Sequence, residues 1–128
     1  MDKIASYLQY YYREQQKMEN DKLSDLFKIQ MDLQIKLGNN KKVIWNQEYI
    51  NNMSLALIDE ILEALRETPW KPWKKQQSLN KERYKEEIID AWHFLINLSL
   101  AAGMTSNEIY ERFIDKNKIN HKRKETGY

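Results

Sequence analysis

Residues 84–98, "YKEEIIDAWHFLINL", decide how the rest of the chain is read. Ile88, Ile89, Ala91, Trp92, Phe94, Leu95, Ile96 and Leu98 spread around the helical wheel, as in a helix that is buried and central. Asn80 upstream is placed to cap its start, and Gly103 follows its last residue, Ala102, as a C-terminal glycine. Asp90, His93 and Asn97 interrupt the apolar surface at i, i+3 and i+7, and Glu86 or Glu87 extends the same line. A polar line along such a helix is either a site or a satisfied internal network.

A second stretch, "LALIDEILEALRE" at residues 55–67, supplies the matching half. Leu55, Ile58, Leu62 and Leu65 fall on one face, expected to be the core face. Glu60 and Glu63 repeat the i, i+3 spacing of Glu87 and Asp90. Each such pair repels by roughly 0.2–0.5 kcal/mol. One E-x-x-E is ordinarily a solvated acidic face. Two on neighbouring apolar helices call for a cation to be tolerated. Oxygen ligands suit Mg²⁺, and the chain has 0 Cys, which excludes thiolate–metal sites and disulfides. The arrangement points to metal-assisted phosphate chemistry. Asp59 and Glu86 stand about 100° off the paired register, and Glu67 flanks the site.

Working outward, the pattern predicts helices over about 2–19, 23–37 and 47–67, then 81–102, then a fifth opened by the Thr105/Glu108 capping box. Leu23, Leu26, Phe27, Met31 and either Leu33 or Gln34 make the stripe of the second, with Gly38 at its end. Ile109, Phe113 and Ile114 are the apolar residues of the fifth. With 128 residues, 3 Gly and 2 Pro, the chain suits one all-α domain, an antiparallel bundle of about five helices. No apolar run is long enough to span a membrane and the N-terminal stretch has no signal-peptide core, so no membrane partner and a cytoplasmic location are expected.

The net charge of +2 is unevenly spread: residues 71–85 hold six bases against Glu82, and residues 116–124 hold five bases and no acid. In "PWKPWKK", Pro69 and Pro72 stiffen a loop carrying Trp70 and Trp73. The tryptophans either cap the core or stack on a base while Lys71, Lys74 or Lys75 reaches phosphate. The basic tail is either solvated or a phosphate clamp. Gln30, an amide in an apolar stretch, is exposed by default but has the donor and acceptor needed to read a pyrimidine edge. His93, taken alone, reads as a hydrogen-bonded core histidine.

Together these motifs resemble the dimeric all-α dUTPases, relatives of the MazG-type nucleotide pyrophosphatases. In order they are Q-x-x-L (Gln30, Leu33), E-x-x-E (Glu60, Glu63), P-W-K-x-W-K (Pro69 through Lys74), and E-x-x-D-x-x-H-F (Glu87, Asp90, His93, Phe94). The tail K-N-x-x-N-x-x-R-x-x-x-G-Y follows (Lys116, Asn117, Asn120, Arg123, Gly127, Tyr128). The likeness covers residues 23–128 and leaves 1–22 as an N-terminal helical extension. It implies Mg²⁺-dependent hydrolysis of dUTP to dUMP and pyrophosphate, with dUDP often accepted, and two or more Mg²⁺ ions on Glu60, Glu63, Glu87 and Asp90. Glu60 or Glu63 would be the base. Gln30 would read uracil, Trp70, Lys71, Trp73, Lys74, His93 and Asn97 would surround the nucleotide, Lys116, Asn120 and Arg123 would hold its phosphates, and Tyr128, in the closing motif, would also bind substrate.

This chain departs from the pattern in lacking a long helical insertion before the tail, in carrying Gln34 where many members have Asn, and in placing Lys122 where an aromatic is common. The likeness also implies a homodimer, with Met53, Leu57, Tyr110 and the N-terminal tyrosines as candidate interface residues. The rival readings are a pyrophosphohydrolase acting on dCTP or a modified nucleotide, and a helical nucleic-acid-binding or interaction module with no enzymatic role. A regulatory protein partner is invisible in the sequence.

Overall fold

Each helix starts where a short polar side chain takes up a free backbone N–H. Asp21 accepts from Ser24 N–H at 2.7 Å, Asn46 from Tyr49 at 2.9 Å, Asn80 from Arg83 at 3.1 Å and Thr105 from Glu108 at 3.2 Å. Such a cap stabilises its helix by about 1 kcal/mol. The computed structural model describes residues 21–38 and 43–127. Among them are four helices and no strand: α1 (Lys22–Lys36), α2 (Gln47–Arg66), α3 (Lys81–Ala101) and α4 (Ser106–Thr126). The helix expected over 2–19 lies outside the described residues. Gly38 and Gly103 take left-handed φ values of 83° and 70° where α1 and α3 end, as a C-terminal glycine does.

The chain divides into two compact units, one of residues 41–102 and one that contains α1 and α4. In the first, α2 and α3 form an antiparallel hairpin. Met53 meets Asn97 and Glu67 meets Arg83, so fourteen residues forward on α2 match fourteen backward on α3. Main-chain bonds close both ends: Trp45 N–H donates to Ala101 C=O at 2.7 Å, and Asn80 N–H donates to Glu67 C=O at 2.9 Å. Trp45 pays for its bond with a φ of 50°, a conformation strained for a bulky residue.

The register corrects the expected core face of α2. Met53, Ala56, Glu60, Glu63 and Ala64 turn toward α3, and Ala64 is fully buried. Leu55, Ile58, Leu62 and Leu65 lie on the opposite side of the helix and are 37–66% exposed. The small and acidic residues make the helix contact, and the large apolar ones face outward. α3 is likewise two-sided rather than buried all round. Ala91, Ile96, Leu100 and Ala101 are buried, while Ile89, Trp92 and Leu95 are exposed.

In the second unit, α1 buries Ser24, Phe27, Gln30, Met31 and Gln34. Leu26, expected in the stripe, is exposed, and of the two alternatives for its end Gln34 is buried and Leu33 exposed. On α4, Phe113 and Ile114 are exposed, as is every residue from Tyr110 to Gly127.

Candidate metal centre

The hairpin register sets Glu60 opposite Asp90 and Glu63 opposite Glu87. One carboxylate oxygen from each of Glu60, Glu63 and Glu87 lies within 4.8 Å of the others. Asp90 stands outside that group and is exposed, but its charge acts on Glu60. Glu87 is buried, and Glu60 Oε2 is buried without a hydrogen-bond partner. An acceptor in that position is costly unless something binds it.

Titration follows from this crowding. Burial, then a shared hydrogen bond with Glu87, then the charges of Glu63, Asp90 and Glu87 push the Glu60 carboxyl up to about 7. Glu63 is raised as well, first by its shared hydrogen bond with Glu87, then by burial and the charges of Glu87 and Asp59. Carboxyls squeezed together in this way share protons in the absence of a cation. Hard oxygen donors on two rigid helices, one of them orphaned, fit a divalent cation such as Mg²⁺.

Asn97, one helical line along from Asp90 and His93, is buried and donates Nδ2–H to Met53 Sδ at 3.3 Å. Met53, half-buried, therefore faces α3. His93 is exposed, contrary to the core reading. The Trp loop leaves α2 at Glu67 and returns at Asn80. Trp70 and Trp73 pack edge to face at 5.7 Å, and Lys71 Nζ lies 5.4 Å from the Trp70 ring. Both tryptophans are exposed, at 40% and 69%, so neither caps a core. Arg66, Thr68, Trp70, Lys71, Lys74 and Gln77 help line a cavity of about 350 Å³ here.

Two residues of this region escaped sequence reading. Gln77 accepts from Lys71 N–H at 2.9 Å and donates to the carbonyls of Lys71 and Lys74, holding the loop on itself. Nothing in the sequence marks that glutamine. Arg83 places its guanidinium 3.4 Å from Glu87 and 3.7 Å from Glu67. Its i, i+4 spacing to Glu87 was the available signal.

The remaining expected site residues belong to the other unit. Gln30 is buried rather than exposed, one turn from buried Gln34. Lys116, Asn120 and Arg123 fall on one face of α4 and are exposed. Tyr128 lies outside the described residues.

The hairpin and its carboxylates define a helical acidic-cluster protein suited to a divalent cation. A family model described as dUTPase matches residues 22–107, and the chain belongs to that family, of the MazG-like all-α kind. The match takes in Gln30, all four carboxylates and the Trp loop, and ends before the basic tail.

The chain is also similar to the dCTP pyrophosphatase of Enterobacteria phage LZ5, at 38% identity over 71 residues, 46% of this chain and 41% of the phage protein. It is similar to the dCTP pyrophosphatase of Enterobacteria phage T4 at 31% identity over 71 residues, covering 46% and 42%. These matches span less than half the length of each phage protein. No solved structure matches, and no single described helix is long and apolar enough to cross a membrane.

Proposed function

We propose that this protein is a Mg²⁺-dependent deoxynucleoside triphosphate pyrophosphohydrolase that converts dUTP to dUMP and pyrophosphate, with dUDP as a second substrate. The observation that carries the reading is the Glu60–Glu63–Glu87 cluster with its buried, unpartnered Glu60 oxygen, set in a chain of the dUTPase family. Glu60, Glu63, Glu87 and Asp90 would hold the metal. Bound Mg²⁺ would neutralise phosphoryl oxygens and lower the pKa of water.

The chain's own groups account for the rest. Glu60 or Glu63 accepts the proton of the attacking water. The water oxygen bonds to the β-phosphorus as that atom's bond to the α–β bridging oxygen breaks; the electron pair leaves on dUMP, and the β- and γ-phosphates with the water oxygen become pyrophosphate. Lys116, Asn120 and Arg123, together on one face of α4, hold phosphate oxygens with charge-assisted hydrogen bonds. By the family resemblance Gln30 would read the base edge; on the hairpin, Lys71 and Lys74 of the Trp loop would meet the nucleotide from the Glu67 end, with His93 and then Asn97 further along α3. On this reading residues 23–128 are the catalytic domain.

A second copy of the chain covers the exposed faces. Leu55, Ile58, Leu62 and Leu65 form an apolar side of α2, exposed among the described residues, that would favour water-excluding association.

The alternative reading, dCTP in place of dUTP, is favoured by the two phage relatives named for it. A buried amide serves either base. Uracil offers an N–H and a carbonyl where cytosine offers a ring acceptor and an amine, and Gln30 and Gln34 can turn oxygen or nitrogen toward them.

The test is pyrophosphate release from dUTP, dCTP, dTTP and dATP, with Mg²⁺ or EDTA, for wild type and Glu60→Gln. Mg²⁺-dependent hydrolysis of dUTP that is lost in the variant supports the proposal. Preference for dCTP keeps the site and changes the base. No hydrolysis by folded protein would sink the enzymatic reading in favour of a binding module.

A further inference from the structure

The crowded carboxylates of the hairpin have a guanidinium against them at one end. Arg83 Nη2 lies 3.4 Å from Glu87 Oε1, and Arg83 Nε lies 3.7 Å from Glu67 Oε1. The two contacts differ greatly in surroundings. The Glu87 side chain is 10% exposed and that of Glu67 28%, while Arg83 itself is 56% exposed. Glu67 caps the C-terminal end of α2, where the Trp loop begins, and its carbonyl is fixed by Asn80 N–H. A planar guanidinium with five N–H donors suits such a fork, because it can lean on either acid without leaving the other.

We infer that Arg83 is a place-holding cation: it neutralises Glu87 while the cluster holds no metal and withdraws to Glu67 when a divalent cation arrives. This rests on the metal reading of the cluster proposed above. Two positive centres compete for one buried carboxylate, so Arg83 sets the threshold at which the free protein takes up metal. Glu67 opposes it by offering the guanidinium a second anion outside the cluster. Arg83 is thus a positioning residue that acts on the metal through Glu87.

The competition fixes signs that a structural strut would not. Mn²⁺ binding to nucleotide-free protein, followed by calorimetry, is compared for wild type, Arg83→Gln, Arg83→Lys, Glu67→Gln and the Glu67→Gln/Arg83→Gln double variant. Arg83→Gln should bind Mn²⁺ roughly three- to tenfold more tightly, as removal of one partly screened charge near a divalent site implies. Glu67→Gln should bind it more weakly, since Arg83 then leans wholly on Glu87. The double variant should match Arg83→Gln, because Glu67 acts only through Arg83. Arg83→Lys, which keeps the charge but loses the fork, should fall between wild type and Arg83→Gln; if Arg83→Gln does not fold, Glu67→Gln carries the test, and unchanged or tighter binding there would overturn the inference. Weaker or unchanged binding in Arg83→Gln, or independent effects in the double variant, would overturn the inference. If wild type binds Mn²⁺ but this order fails, only the role of Arg83 falls. If wild type binds no Mn²⁺, the metal reading falls with it.

Discussion

The α2–α3 hairpin and the α4 helix both carry the charges expected of a site, but they hold them differently. In the hairpin, acids are pressed together by helix register, with Glu87 buried and a Glu60 oxygen left without a partner. On α4, Lys116, Asn120 and Arg123 stand in solvent on a helix exposed along its length beyond Ile109. Confined like charges destabilise the fold that holds them, whereas solvated bases cost it little. The hairpin should therefore trade stability for function, and α4 should not.

The sharpest way to break this contrast is Glu60→Gln. It should lower Mg²⁺-dependent pyrophosphate release by roughly 10²–10⁴-fold, the range for loss of a positioned acid or base. The same variant should melt higher than wild type at neutral pH without metal, because one repelling charge is gone. Lower activity together with a lower melting temperature would show that the cluster is structural.

Next in size is Arg123→Ala on α4. Loss of a charge-assisted hydrogen bond of about 1.5–3 kcal/mol predicts roughly a ten- to hundredfold fall in kcat/KM. Its thermal midpoint should not move, and a drop of several degrees would mean that α4 carries folding energy.

A third effect is pH dependence. The Glu60 carboxyl is raised from 4.5 to about 7. Its contribution to stability is full below the lower value and is lost as pH rises through the upper one. Metal-free protein should melt lower at pH 8 than at pH 5. Mg²⁺ should oppose that loss, binding more tightly as pH rises and releasing protons as it does. A melting temperature flat across that window would contradict the crowding.

The smallest effect is expected at Gln77→Ala, which removes the loop's internal bonds. KM should rise a few-fold, as loss of about 1 kcal/mol of hydrogen bonding implies, with the melting temperature nearly unchanged. A fall in kcat alone would place Gln77 nearer the chemistry than the loop.

Two of the four caps and the paired carboxylates were legible because they depend on spacing along one helix, while Asp21 and Asn46 were not picked out as caps. Asn80, Thr105 and the two i, i+3 pairs are local facts, and the register merely brought the pairs face to face. The core was less legible. Leu55, Ile58, Leu62 and Leu65 form an apolar stripe, but periodicity does not say which neighbour a stripe meets. Here α3 packs on the opposite, small-residue side. Gln77 and the Arg83–Glu67 contact escaped because a loop's internal bonds and a cross-helix fork depend on three-dimensional closure. Gln30 and Gln34 were undervalued because burial of an amide depends on partners that sequence does not display.

The main-chain bonds at both ends of the hairpin have an evolutionary consequence. Substitution alters side chains and leaves the hydrogen bonds from Trp45 N–H to Ala101 and from Asn80 N–H to Glu67 intact, unless proline replaces the donor. The segment between residues 67 and 80 can then diverge freely while the acids hold their alignment. A lineage built on such a clasp can vary the loop that carries Trp70 and Trp73 without disturbing the carboxylates.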